Sequence, residues 1–128
     1  MATLLLIEPD ESLALTYKGA LQHDNHKVHH SVDIRDAIQT LDEHQIDLII
    51  LELQIALHNG IEFLYEMRSY PEWQHIPVIL HTTVPLRALN QGDVLSKELN
   101  VQVHLYKPTT SLEKLTSTVE SELLAHAS

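Results

Sequence analysis

Glu52 is the residue whose type and position most directly suggest chemistry. It follows four consecutive apolar residues in the segment DLIILEL, which Asp47 opens. An apolar run this short is typical of a strand that is buried on both faces of a parallel sheet. Open α/β sheets place their sites beyond the carboxyl ends of such strands. The sequence therefore predicts that the carboxylate of Glu52 lies in a functional site.

The elements that must position Glu52 alternate between apolar strands and amphipathic helices. Strands are predicted at residues 3–7, 26–31, 48–51, 76–80 and 101–106. Helices are predicted after Asp10, after Asp33, after Gly60, within residues 85–99 and after Ser111, with Leu13, Leu112 and Leu124 among their apolar residues. Residues 54–60 are predicted to form a loop, and Gly92 is expected to weaken the fourth helix by about 1 kcal/mol relative to alanine.

This alternation predicts a parallel five-stranded sheet with right-handed crossovers and helices on both faces. The strand count favours a flavodoxin-like (βα)5 three-layer sandwich with strand order 2-1-3-4-5, formed by residues 1–128 as a single domain. In that order the first and third strands are neighbours. We therefore expect Glu8, Asp10 and Glu52 to converge, joined by Thr82 and Lys107 from the fourth and fifth strands.

The composition excludes several classes of function. Eighteen acidic residues against eight basic ones give a formal charge of −10, which opposes binding to nucleic acid or to an anionic membrane surface. The absence of cysteine excludes disulfides and thiolate chemistry, and it fits a cytoplasmic protein. No apolar stretch is long enough to span a bilayer, and the N-terminus does not have the pattern of a signal peptide.

The segments at the strand ends resemble the receiver domain of two-component response regulators of the chemotaxis type. The matching pieces are LLLIEPDE, DLIILEL followed by an Asn-Gly turn, IPVILHTT and YKP, and together they cover nearly the whole chain. Gly60 follows Glu52 by eight positions, the spacing that the family has between its phosphoacceptor and a glycine.

The resemblance implies a role for each residue of the expected site. An acidic pair after the first strand, here matched by Glu8 with Asp10 nearby, holds Mg²⁺ in the family. Glu52 stands where the family has its phosphoacceptor aspartate. Thr82 and Lys107 match the residues that bind the phosphoryl oxygens.

The departures from the family pattern predict that the phosphorylation chemistry is lost. Glutamate at position 52 places its carboxylate about 1.3–1.5 Å further from the backbone than aspartate would, and positioning errors of that size can cost about 100-fold in rate. Pro9 stands at a metal-ligand position without a side-chain oxygen, and Asp10 is also a candidate helix cap. Ala56 replaces the usual loop proline. We expect no enzymatic activity, no Mg²⁺ site and no other cofactor.

Two roles are open for Glu52. Its carboxylate, paired with Lys107, could lie where a phosphoryl group would sit and hold Thr82 in an activated arrangement. Glu52 carries one negative charge, whereas a phosphate ester carries about −1.5 to −2, so Glu52 would mimic a phosphorylated residue only in part. Alternatively, the two residues form an ion pair that only neutralises charge in a partly buried pocket, and the sequence favours this second role.

His104 occupies the position at which the family often has a switch tyrosine or phenylalanine. We expect a solvent-facing strand histidine rather than a pH-sensitive rotor. The stretch between Thr82 and Lys107 is longer than in familiar receivers, so an irregular fourth helix is also expected. His26, His29 and His30 indicate a polar edge strand rather than a metal site, because alternation points His29 and His30 to opposite faces.

These observations favour a receiver-like domain that is not phosphorylated in the usual way and acts as a protein-interaction module. The resemblance implies that a protein partner binds the face formed by the fourth helix, fifth strand and fifth helix, and a homodimer is also open. The alternatives are a working phosphoacceptor receiver with an atypical pocket and, less favoured, a flavodoxin-like enzyme or metal protein. A flavin phosphate would be repelled by the acidic segment after the first strand.

Overall fold

A computed structural model describes residues 1–55, 58–88 and 94–127. Within these ranges the main sheet has five parallel strands, in the order β2-β1-β3-β4-β5. The strands are β1 (Thr3–Ile7), β2 (Lys27–Ser31), β3 (Leu48–Leu51), β4 (Val78–Thr82) and β5 (Val103–Tyr106). The predicted flavodoxin-like fold and strand order are confirmed, and β2 is an edge strand as expected.

In the described ranges, four α-helices connect or follow these strands: α1 (Glu11–His23), α2 (Ile34–Glu43), α3 (Gly60–Arg68) and α4 (Leu112–His126). Each begins at a side chain that accepts a hydrogen bond from the backbone N–H three residues later. The four capping residues are Asp10, Asp33, Asn59 and Ser111. Such caps stabilise a helix by about 1 kcal/mol each, so the helix starts are encoded locally.

The strands are buried on both faces, as continuous apolar runs predict. One face packs on α2 and α3 through a cluster that includes Ile7, Leu51 and Phe63. The opposite face packs on α1 and α4 through a cluster that includes Ile50 and Val119. Three leucines that were expected on apolar helix faces lie near helix ends and are exposed instead, namely Leu13, Leu112 and Leu124.

The region predicted as a fourth helix is not α-helical where the structure describes it. It contains a 3₁₀ turn at Leu86–Ala88 and a π-helical segment at Val94–Glu98. The backbone N–H of Leu99 donates to the carbonyl of Val94, five residues earlier, and Asn100 has a left-handed conformation with φ 53°. The predicted effect of Gly92 lies outside the described residues. The expected irregularity is confirmed, and the helix predicted after Ser111 is α4.

Three further boundaries differ from the prediction. The segment predicted as a loop at 54–60 contains two short antiparallel strands, Gln54–Ile55 and His58–Asn59. β4 begins at Val78 rather than residue 76, since Pro77 has no N–H to donate to the ladder. β5 begins at Val103 rather than 101, because the N–H of Val101 bonds to Leu95 in the π-helical segment instead of to β4.

Arg68 fixes the segments that lead into β4 and β5. Its guanidinium donates to the carbonyls of Leu99, Trp73, Gln74 and Ile76 at 2.8–3.0 Å. One side chain therefore ties the turn after α3 to the end of the π-helical region. In the described part of the chain, no helix is both long and apolar enough to cross a bilayer.

Candidate functional site

Four of the predicted site residues meet at the carboxyl edge of the sheet. Glu8 and Glu52 follow β1 and β3, Thr82 ends β4 and Lys107 follows β5. The backbone N–H of Glu52 still bonds to Ile7 of the neighbouring strand at 3.0 Å, so the carboxylate is carried by rigid sheet. Both glutamates are almost fully buried, with 2% and 3% of their surface exposed. The predicted convergence of these four residues is observed.

Lys107 links the two carboxylates. Its Nζ lies 2.7 Å from Glu8 Oε1 and 2.7 Å from Glu52 Oε1. An ammonium group shared by two buried carboxylates leaves a formal charge of −1 in the pocket. Removing one partner of a buried ion pair lowers the stability of the fold, because the other charge is left buried and unpaired. The burial of each of these three charged residues therefore depends on the other two.

Glu52 accepts hydrogen bonds at both oxygens. Oε1 accepts from Lys107 and, at 3.2 Å, from the backbone N–H of Thr83. Oε2 accepts from the hydroxyl of Thr82 and, at 3.1 Å, from the backbone N–H of Gln54. Four donors from three segments of the chain thus converge on one carboxylate. The arrangement is an anion-binding site whose anion belongs to the protein.

The electrostatics of the pocket favour the ionised forms of both partners. Burial by itself raises the pKa of Glu52, but the hydrogen bonds from Lys107, Thr82 and Gln54 outweigh it and hold the pKa below its usual value. Burial likewise acts to lower the pKa of Lys107, and the bonds to Glu52 and Glu8 reverse this and raise it. The two pKa shifts agree, because each favours the charged form of its group.

Asp10 does not join the pocket. Its side chain is exposed and caps α1 by accepting the N–H of Leu13 at 3.0 Å. The competition expected from the sequence is therefore resolved in favour of the cap. Glu8 Oε2 accepts the backbone N–H of Asp10 at 3.1 Å, and Pro9 between them has no side-chain donor or acceptor.

The pocket residues do not fit a Mg²⁺ ion. Mg²⁺ requires near-octahedral oxygen ligands at about 2.0–2.1 Å. Every carboxylate oxygen of Glu8 and Glu52 already accepts a hydrogen bond. Across the described ranges, the pocket included, no group of three or more histidine, aspartate or glutamate side chains is close enough to hold a metal ion.

Gly60 is needed for a close approach of α3 to the strand that carries Glu52. A Cβ at this position would lie 2.8 Å from Leu53 Cδ2, 2.9 Å from Leu53 Cα and 3.2 Å from the carbonyl oxygen of Glu52. The backbone N–H of Gly60 donates to Leu53 at 2.8 Å. The spacing of eight residues noted in the sequence therefore has a steric cause.

A chain of hydrogen bonds leads from the pocket to β5. The hydroxyl of Thr82, which donates to Glu52, accepts the N–H of Val84 at 3.1 Å. The carbonyl of Val84 bonds in turn to Nε2 of His104 at 3.2 Å. His104 is half-buried, so its ring is partly covered rather than fully facing the solvent. The loop after β4 provides a partner for its ring, which strand alternation alone does not reveal.

Sequence reasoning missed His81 and Tyr17, which lie beside the pocket. His81 is 2% exposed, and its ring meets that of Tyr17 edge-on at 4.9 Å between centroids. Burial, reinforced by the nearby Lys107, lowers the pKa of His81 to about 4. Burial also raises the pKa of Tyr17. The available signal was a histidine inside an apolar strand, directly before Thr82.

The histidines on and next to β2 contact neighbouring elements. His29 stacks on His44 at 4.2 Å, and the ring of His30 bonds to the carbonyl of Glu8 at 2.8 Å. His26 is buried, with Nδ1 accepting the N–H of Ala2 and Nε2 paired with Glu120 of α4. These contacts join β2 to neighbouring elements.

Comparison with known proteins gives consistent matches. Residues 4–120 match the family described as the response regulator receiver domain. The response regulator ArlR of Staphylococcus aureus is 32% identical over 82 residues, which cover 64% of this chain and 36% of that protein. The chain thus spans little more than a third of the length of the curated relatives it matches.

Solved structures share the fold. The chemotaxis protein CheY4 of Vibrio cholerae has a TM-score of 0.83 at 23% identity, covering 94% of this chain and 98% of that one. A two-component response regulator from Clostridium difficile has a TM-score of 0.85 at 21% identity, and the match covers both chains completely.

Proposed function

Since the chain belongs to the response regulator receiver domain family, we propose that Glu52, instead of phosphorylation, holds the pocket of this receiver in one arrangement. The domain then acts by binding a protein partner. As a receiver domain it is part of a two-component signalling system. The proposal concerns how its pocket works and what its surface does.

One observation carries the proposal: the Glu52 carboxylate accepts four hydrogen bonds within the pocket. A lysine, a hydroxyl and two backbone N–H groups are the donors that an oxyanion needs. An incoming phosphoryl group would have to displace the carboxylate from all of them. Glu52 itself would be a poor acceptor, because hydrogen bonds hold both of its oxygens and an oxygen that attacks a phosphoryl group would have to leave these donors.

The hydrogen-bond chain supports an ordering role for Glu52 beyond a simple ion pair. An ion pair alone would need only Lys107, whereas Thr82 also engages Glu52 and connects through Val84 to His104. In this proposal the single charge of Glu52 holds the loop after β4 in one arrangement without any signal-dependent modification.

The partner surface is proposed at the π-helical segment, β5 and α4. Tyr106 at the end of β5 and Leu112 at the start of α4 are 37% and 40% exposed. His104 and Tyr106 share one face of β5 by strand alternation. The loop that Glu52 orders is therefore bonded to the strand that bears the proposed contact residues.

The proposal is tested by incubation with acetyl phosphate and Mg²⁺ followed by intact-mass measurement. The wild-type domain is expected to gain no phosphoryl mass. A Glu52→Asp, Pro9→Asp double variant restores the family pattern at both positions and is expected to gain it. Glu66→Asp, on the exposed side of α3, is the matched control and should behave as wild type.

Phosphoryl mass on Glu52 or another pocket residue of the wild type would instead establish the alternative, a working receiver with an atypical pocket. The surface proposal is tested separately by capturing partners with immobilised protein. A Tyr106→Ala, Leu112→Ala double variant should no longer capture the partner. Leu15→Ala, at an exposed position of α1, should still capture it. Equal capture by both variants would reject the proposed face.

A further inference from the structure

The buried charge of the pocket requires a cation. Glu8 and Glu52 are 2% and 3% exposed, and an isolated carboxylate is costly to bury. Lys107 is the cation that contacts both, at 2.7 Å each, and its own side chain is only 10% exposed. In the receiver family the acidic side chains of this pocket also hold a divalent metal, in addition to the lysine.

The carboxylates that could bind a metal beside the lysine already have hydrogen-bond partners within the chain. Glu8 uses one oxygen for Lys107 and the other for the N–H of Asp10. Both oxygens of Glu52 are occupied as well, by Lys107 among others. Pro9 adds no ligand, and the Asp10 carboxylate is committed to α1. A metal in this pocket would have to compete with the ammonium for the same two carboxylates.

We infer that Lys107 is the permanent cation of this pocket and replaces the divalent metal ion of the family. The inference rests on the proposed function and extends it to the regulation of the same site. A pocket whose anion is Glu52 and whose cation is Lys107 is complete within the chain. Its arrangement is therefore independent of Mg²⁺ concentration as well as of phosphorylation.

The experiment is a Mg²⁺ titration without any phosphoryl donor. Two quantities are measured at each Mg²⁺ concentration, namely the thermal unfolding midpoint and the amide NMR signals of Gln54 and Thr83. Wild-type protein should show no rise in midpoint and no shift of these amides. Lys107→Met leaves both carboxylates without their cation, and since hydrated Mg²⁺ can bind one or two carboxylates, this variant should gain a Mg²⁺-dependent rise in midpoint.

Two variants control the experiment. Lys114→Met removes an exposed lysine of α4 and should remain insensitive, as should Lys107→Arg, which keeps the charge. If Lys107→Met does not fold without metal, recovery of folding on adding Mg²⁺ is the same expected gain. The absence of any Mg²⁺ response in Lys107→Met, whether it is folded or unfolded, overturns the inference.

A Mg²⁺-dependent shift of the wild-type pocket amides also overturns it. That result is distinguishable from failure of the proposed function, which is measured by phosphoryl mass. Wild-type protein that binds Mg²⁺ but gains no phosphoryl group would reject Lys107 as the permanent cation and leave the role of Glu52 intact.

Discussion

Replacing Glu52 with glutamine measures what the carboxylate contributes to stability, because the change keeps the side-chain shape and removes the charge. Glutamine retains one acceptor oxygen and places an NH₂ donor against groups that are themselves donors. Depending on the orientation of the amide, that group faces the Thr82 hydroxyl and the Gln54 N–H, or Lys107 and the Thr83 N–H.

The expected loss follows from these contacts. Hydrogen bonds to charged groups contribute about 1.5–3 kcal/mol each, and removing one partner of a buried ion pair costs about 3–5 kcal/mol. Lys107 keeps Glu8 at 2.7 Å, which reduces the penalty of an unpaired ammonium. We therefore expect Glu52→Gln to lower the free energy of unfolding by about 2–4 kcal/mol.

Urea denaturation at neutral pH measures this difference, with Glu66→Gln on the exposed face of α3 as the control, expected to change stability by less than about 0.5 kcal/mol. A Glu52→Gln protein as stable as the control would refute the reasoning, since four converging donors would then contribute nothing. A large loss in both variants would show that the effect is not specific to the pocket.

Three further predictions follow from the same structure. His81 has its pKa lowered from 6.5 to about 4, so its contribution to stability is complete above pH 6.5 and is lost as the pH falls toward 4. The loss reaches about 3 kcal/mol, and His81→Leu should flatten the urea-derived stability profile over this range; an unchanged profile would contradict the assignment. Gly60→Ala should destabilise by about 1–3 kcal/mol through overpacking against Leu53. Gly19→Ala on α1, where an added Cβ meets nothing within 4 Å, should be neutral or stabilising by up to about 1 kcal/mol; equal effects would rule out the steric explanation. Arg68 binds backbone carbonyls in the turn after α3 and at Leu99. Arg68→Met should therefore increase amide hydrogen exchange in that turn and around Leu99, while the exchange of β1 stays unchanged. Equal increases in exchange throughout the protein would count against a local role of Arg68.

The sequence was sufficient to predict the sheet because its strands are short apolar runs separated by capped helices. The caps are local: Asp10, Asp33, Asn59 and Ser111 each need only the backbone of the next turn. The meeting of Glu8, Glu52, Thr82 and Lys107 followed from strand order alone, since parallel strands end at one edge.

The parts that could not be predicted depend on which of several possible partners a residue bonds to in the folded chain. The half-buried position of His104 depends on the loop after β4, to which its ring bonds across 20 residues. The late start of β5 depends on Val101 bonding to Leu95. Asp10 could have joined the pocket or capped α1 on sequence grounds, and only the geometry decides for the cap.

An ionised Glu52 serves as the anion of its own pocket, and a ¹³C NMR titration of its side-chain carboxyl carbon measures this ionisation, with the amides of Gln54 and Thr83 followed in the same samples. We expect a midpoint below the usual glutamate value of about 4.3, with both amides shifting at that midpoint as their acceptor is protonated. A midpoint at or above the usual value, or amides that do not respond, would contradict it.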